Sequence, residues 1–544
     1  MKKIASLMLS LLIPTVLIAA GCSSGQPTAS KDAGKDKGSS AQQKLLMLNN
    51  QKEPTSLDPP VGFDEPSYDI LNNAMEGLTR LDKDNKPQPA VAEKWDVSND
   101  GKTYTFTLRQ NAKWSNGDPV TAKDFEYAWK RMADAKTASE AAPLAYLIEG
   151  TELYNSGKAP ADKMMVKAVN DTTLKVTLAH PLSYFLGLVS NPAFFPVDKA
   201  VVEKNSKWAA EANTMVCNGP FKITEWKHDD HLTMMKNDKY WDAANVKLDG
   251  VVWKMVNDSN TEYQLFQTGA LHATYTIPTD MADQLFKDGK AKVADQSGTE
   301  FYRFNTKMKP FDNVKIRKAF NMAIDRQKLV DLVLRQKQKP ATGFVAAGLN
   351  DPAGGDFRQV GGDLIKFDPA QAKQLLQQGM KEDNLTKLPT ITLTYNTSDQ
   401  KQKVAQVLQE MFKENLGVDV KLVNMEWKVL KDQQKKGQLM LSRSTFLADF
   451  GDPINFLDGF QSGNPMNRTG WSNAEYDKLI KAAYNEPDDP KRFKLMHDAE
   501  KILMDESPIM PLHFYTAPYL QNDNAVDIVR HPVGYIDLKW ASLK

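Results

Sequence analysis

The chain has 544 residues, with 69 Lys and Arg against 68 Asp and Glu, and 41% of it is hydrophobic. A globular, nearly neutral composition argues against a nucleic-acid groove and against a disordered acidic chain. One core would stop growing before this length, so two or three domains are expected. With two cysteines and seven histidines, neither a disulfide framework nor a cysteine metal site is available.

Lys2 and Lys3 precede an apolar run from Ile4 to Ile18, followed by Ala19-Ala20-Gly21-Cys22. This predicts a secretory signal peptide over residues 1–21. Pro14 within the run and small residues before a cysteine favour the lipoprotein type over an uncleaved anchor, with Cys22 lipidated as the new N-terminus. Ala19 departs from the usual leucine at its position. Removing Lys2 and Lys3 leaves 67 basic residues against 68 acidic. Residues 22–43 are rich in Gly, Ser, Lys and Asp and predict a flexible tether. No second apolar stretch approaches the roughly 20 residues needed to span a bilayer. The expectation is a soluble body, lipid-anchored on the extracytoplasmic face of the cell membrane. Cys217 is then a lone thiol, read as a packing residue.

From Lys44 onward, short strands and helices alternate without a fixed period. Trp95 to Leu108 predicts a hairpin turning at Asn99-Asp100-Gly101, with Tyr104, Phe106 and Leu108 on one face. Thr121 caps a helix to about Ala133 whose Phe125, Trp129 and Met132 share a face. Thr173 to Leu178 predicts a strand. In the C-terminal half a strand over 389–395, a helix over 400–415 and a strand over 418–423 form a βαβ unit with a parallel pair. Helices are expected at 313–335, 370–378 and 490–505. The fold class is α/β: an α/β lobe joined to a more antiparallel N-terminal half, with a cleft between them.

No catalytic signature accompanies this architecture: HExxH, a P-loop, GxSxG and a dinucleotide fingerprint are all absent. His228, His231 and His497 are scattered among polar residues and read as locally bonded side chains. Asp229-Asp230 and Asp488-Asp489 read as turn or capping carboxylates. A capture protein explains this pattern better than an enzyme does.

Several stretches are recognisable. Glu76-Gly77-Leu78, Pro89 to Trp95, Ala112 to Gly117, Val120 to Phe125, Asn218 to Phe221, Asn313 to Phe320, Asp449 to Pro453 and the C-terminal His531 to Ala541 resemble the oligopeptide- and dipeptide-binding lipoproteins of peptide ABC importers. Those of Gram-positive bacilli are the most alike, and the resemblance runs through the mature chain in order. It implies a two-lobed, periplasmic-binding-protein-like (class II) fold with an extra domain and two hinge strands. The boundaries it suggests are 44–75, 197–297 and 517–544 for lobe I, 76–196 for the extra domain and 298–516 for lobe II.

Peptides of many sequences share only an ammonium, a carboxylate and a backbone. The resemblance places the ammonium at Asp449, ahead of Asp452-Pro453, and the ligand strand against Arg443 to Asp449, where backbone pairing gives affinity without sequence preference. It also places Asn396, Lys401, Trp427, Gln434, Arg443 and Phe446 around the cavity. Lys401 and Arg443 are the candidate cations for the carboxylate, and Gln434 stands where related receptors carry arginine. Gly298 and Leu447 occupy the positions of a cysteine pair in those receptors, so no bridge forms here. Phe63 and Glu65 fall in an N-terminal wall where backbone contacts matter more than side-chain identity. Tyr302 and Arg303 alternate to opposite faces; Arg303 either faces the cleft and favours acidic peptides, such as glutamyl cell-wall fragments, or forms an internal ion pair.

The sequence therefore predicts a monomeric receptor, with no cofactor and no nucleic-acid partner, that binds short peptides and delivers them to an ABC permease served by cytoplasmic ATPases. A receptor of the same fold for a nickel complex or oligosaccharide, an exported peptidase and an adhesive surface protein are the alternatives.

Overall fold

The structure is a computed structural model that describes residues 43–544. The predicted signal peptide, Cys22 and the tether up to residue 42 lie outside the described residues.

Three sheets organise the chain. The first has the order Leu45–Asn49, Gly250–Lys254, His231–Lys236, Phe221–Lys227; the first pair is parallel and the others antiparallel. The second is fully antiparallel: Ala92–Val97, Thr103–Leu108, Thr173–Thr177, Val166–Asn170. It contains the expected hairpin, and Tyr104, Phe106 and Leu108 are buried on one face. The helix Ala122–Ala133 packs on this sheet through Phe125, Trp129 and Met132. At its start the Asp124 carboxylate accepts from both the amide and the hydroxyl of Thr121.

The third sheet is mixed and six-stranded, in the order Lys339–Pro340, Ile509–Leu520, Ala291–Phe304, Leu441–Leu447, Ile391–Asn396, Val420–Met425. The last two strands run parallel and flank the helix Asp399–Leu416, which is the predicted βαβ unit. The long strands Ala291–Phe304 and Ile509–Leu520 pair antiparallel, and their register shifts between Asp295 and Thr299. A bulge there bends the ribbon between its two ends.

One expectation is corrected. Residues 313–335 do not form a single helix but three pieces: Val314–Met322, Arg326–Leu329 and a π turn, Val330–Leu334. Asp325 accepts from the Lys328 amide and starts a new helix, while Arg326 turns inward to donate to the carbonyls of Pro511 and Asn321. The other two helices are Pro369–Glu382 and Asp489–Glu506, the latter capped by Asp488. Among the described residues no helix is long and apolar enough to cross a membrane. Cys217 is fully buried, and burial pushes its thiol up to about 11, as suits a packing residue.

Candidate functional site

The strand Leu441–Leu447 pairs along its whole length with Gly298–Phe304, but touches Ile391–Asn396 only at Leu441 and Ser442. From Arg443 onward its second edge has no strand partner among the described residues. An unpaired edge inside a sheet is a template for an added strand.

At the Arg443 end the electrostatics are built around Glu300. Arg443 donates from Nε to Glu300 Oε1 at 2.7 Å and from Nη2 to Oε2 at 2.5 Å. Lys401 Nζ lies 3.3 Å from Glu300 Oε1, and the Tyr515 hydroxyl also donates to this carboxylate. Burial alone would raise the Glu300 carboxyl, but Lys401 and Arg443 outweigh it and hold it at about 2. Burial pushes the neighbouring His513 down to about 4, so it is neutral at pH 7. Two cations therefore share one anion, and the cluster keeps one positive charge. The Trp427 ring lies 5.4 Å from the Arg443 guanidinium. The Asn396 side-chain oxygen is buried and without a partner among the described residues.

At the other end Asp449 lines a cavity of about 180 Å³ with Phe63, Glu65, Tyr68, Leu447 and Tyr535. Asn455 Oδ1 accepts from the Asp449 amide at 2.8 Å, and Asn191 Nδ2 donates to its carbonyl at 3.0 Å, so the backbone of Asp449 is held in the cavity wall. Burial raises this carboxyl to about 6, against the opposing bond from Asn455. Among the described residues no lysine, arginine or histidine lines the cavity. A second cavity of about 190 Å³, bordered by Tyr184, Phe450 and Asp452, shares Ser297, Pro532, Val533 and Tyr535 with the first. Between the two ends Phe446 is half-buried against Phe456, with ring centroids 4.8 Å apart.

The structure thus gathers Asp449, Phe63 and Glu65 at one end and Lys401, Arg443, Trp427 and Asn396 towards the other. Two expectations are corrected, for Gln434 and Tyr302, and one of the two readings of Arg303 is removed. Gln434 Nε2 donates to Ser442 Oγ and to the Arg443 carbonyl, both at 2.9 Å, so its amide braces the strand. The Tyr302 ring is buried in the apolar cluster with Phe304, Ile391 and Leu441 instead of lining a cavity. Arg303 forms no internal ion pair; it donates to Ser444 Oγ at 3.1 Å and the Met466 carbonyl at 3.2 Å, both neutral. Burial, then Arg468, lowers it to about 9.

Sequence reasoning missed Glu300, Tyr515, Tyr68, Asn191 and Asn455. Alternation within Glu300-Phe301-Tyr302 puts Glu300 and Tyr302 on one face, but only the strand register shows that Arg443 shares it. Gly298 lies directly opposite Leu447, as the cysteine-pair positions require.

The mixed two-lobed fold, with a cavity lined by carboxylates and aromatic rings, is that of a solute-binding protein. Residues 86–468 match bacterial extracellular solute-binding proteins, family 5 (Middle), and the chain belongs to this family. It is 55% identical over 540 residues to the dipeptide-binding protein DppE of Bacillus subtilis (strain 168), covering 99% of each chain. It is 41% identical over 556 residues to the oligopeptide-binding protein OppA of the same organism, covering 100% of each. Among solved structures, Listeria monocytogenes OppA bound to peptide matches with a TM-score of 0.76 at 33% identity, covering 93% of this chain and 100% of that one. The murein tripeptide-binding protein MppA of Escherichia coli matches with a TM-score of 0.75 at 33% identity, covering 92% and 99%. These relatives are named as binding proteins.

Proposed function

We propose that this protein is the extracytoplasmic, lipid-anchored receptor of a peptide ABC importer. It captures short peptides between its lobes and presents them, as a monomer, to a membrane permease. It is a binding protein without catalytic function, anchored through Cys22. Its domains follow the boundaries 44–75, 197–297 and 517–544 for lobe I, 76–196 for the extra domain and 298–516 for lobe II.

The observation that carries this function is the pairing of an uncompensated carboxylate, Asp449, with an excess cation at Arg443 and Lys401, on either side of an unpaired strand edge. A peptide ammonium at Asp449 makes a charge-assisted hydrogen bond, and its backbone extends the sheet. Bonding both lobes at once shifts the population towards the closed form. Arg303 adds a positive charge with only neutral partners on the opposite face of the ligand strand, which favours peptides carrying an acidic side chain.

Native mass spectrometry of the purified protein with a mixture of di- to pentapeptides tests the function. A one-to-one peptide complex, weakened in Asp449→Ala, supports it; no retained peptide across the mixture overturns it in favour of a non-peptide solute. Equal affinities for matched acidic and neutral peptides, unchanged in Arg303→Ala, would remove the role of Arg303.

A further inference from the structure

The cavity at Asp449 carries more negative charge than one peptide ammonium neutralises. Its wall includes three carboxylates, Asp64, Glu65 and Asp449, and no basic side chain among the described residues. Asp64 is already used: it caps the helix Glu65–Ala74 by accepting from the Ser67 amide at 3.0 Å and the Ser67 hydroxyl at 2.8 Å, and it accepts from Thr55 as well. Glu65 meets a neutral partner, the Tyr275 hydroxyl, but forms no ion pair among the described residues; burial raises its carboxyl against the opposing effects of Tyr275 and Lys52. Another group in the same wall is unsatisfied: the Tyr68 hydroxyl is buried and has no hydrogen-bond partner among the described residues. An orphaned buried hydroxyl costs stability unless a ligand or water meets it.

The remaining wall is apolar and aromatic, made by Phe63, Leu447, Pro532, Val533 and Tyr535. Such a wall suits the methylene stem of a long basic side chain, which buries its carbons and keeps its charged tip for a polar partner. About 180 Å³ leaves room for a stem of this kind beside the ammonium.

We propose that this cavity is a first-residue specificity subsite, in which Asp449 holds the ligand ammonium and Glu65, with the Tyr68 hydroxyl, receives the cationic tip of a lysine or ornithine side chain. Glu65 is then a specificity determinant through its carboxylate and not only a piece of backbone wall. The inference rests on the peptide-receptor function proposed above and adds a preferred class of ligand, peptides that begin with a basic residue.

Calorimetric titration of the purified protein with Lys-Ala-Ala and with norleucine-Ala-Ala compares two ligands of nearly equal shape that differ in one charge. The lysine peptide is expected to bind about tenfold more tightly, with the ratio falling towards one in Glu65→Gln. Equal affinities in the unaltered protein overturn the subsite while leaving peptide binding intact. A ratio that persists in Glu65→Gln removes Glu65 from it. Failure of both tripeptides to bind would instead bring down the peptide function and the subsite together.

Discussion

Arg443 and Glu300 face one another from neighbouring strands and share two hydrogen bonds, of 2.7 and 2.5 Å. Glu300 is 1% exposed and also meets Lys401, and among the described residues it is the only counter-charge to these two nearly buried cations. Glu300→Gln removes that charge and leaves both unpaired. The expected cost is about 3–5 kcal/mol, read from urea unfolding. The folded Glu300 carboxyl is held at about 2, below its ordinary value of 4.5. Its contribution is therefore complete above pH 4.5 and is lost as pH falls towards 2, and the stability of Glu300→Gln should lack this acid-limb loss.

Asp449 shows the opposite sign. Its folded carboxyl is raised from 3.8 to about 6 by burial, so at neutral pH the charge works against the unliganded fold. Asp449→Asn should stabilise the empty protein by up to about 3 kcal/mol, a gain that shrinks as pH falls from 6 towards 3.8. Peptide affinity should move the other way. It should fall in Asp449→Asn by about 10- to 100-fold at pH 7.5, and in the unaltered protein it should decline as the pH drops through about 6. Thermal melting without ligand and calorimetry with a tripeptide at pH 7.5, 6 and 5 check both halves; weaker binding without higher empty-state stability would remove Asp449 as a buried anchor.

Gly298 is packed too closely for any side chain. A Cβ there would lie 2.4 Å from Leu447 Cδ2 and 2.9 Å from the Phe446 carbonyl. Gly298→Ala should cost about 1–3 kcal/mol through overpacking. Since Leu447 is half-exposed and its tip can move, Leu447→Ala should recover part but not all of the loss, the fixed Phe446 carbonyl accounting for the rest. A double-mutant cycle in urea measures this coupling, and strict additivity would show that the two residues do not clash.

The Asp449 end of the site was legible because its evidence is local: a short motif with Asp452-Pro453 places the carboxylate, and the N-terminal wall at Phe63 and Glu65 meets it in one cavity. The Arg443 end was legible only in part. Arg443 and Lys401 are identifiable as cations, but their shared partner Glu300 lies some 140 residues from Arg443 in the chain and joins it only through strand register. Gln434 reads as a cavity amide until the fold shows it bonded to the strand beside it. Hydrophobic periodicity gave the βαβ unit and the Phe125 face correctly, since each depends on spacing within one element. It failed at 313–335, where the capping carboxylate of Asp325 interrupts a helical pattern that periodicity alone would continue.

Contacts between residues distant in sequence hold the segment that carries Asp449. The Tyr184 and Phe450 rings stack with centroids 4.9 Å apart and planes within 6°. Arg492 covers Tyr184 at 5.0 Å, holds Asp452 through hydrogen bonds of 2.6 and 2.9 Å, and reaches Ser183 Oγ at 3.2 Å. Tyr184 thus links the antiparallel domain to the segment that carries Asp449. Aromatic stacking contributes about 0.5–1.5 kcal/mol beyond buried area, so Tyr184→Ala should remove a few kcal/mol from the closed form. A shift of even about 1.4 kcal/mol changes the ratio of closed to open tenfold and weakens apparent peptide affinity by a similar factor where closing is tightly linked to binding. Small-angle scattering of the unliganded variant should give a larger radius of gyration than the unaltered protein, returning to the compact value at saturating peptide. An unchanged radius and affinity would mean that Tyr184 only packs the domain interior and that closure depends on other contacts.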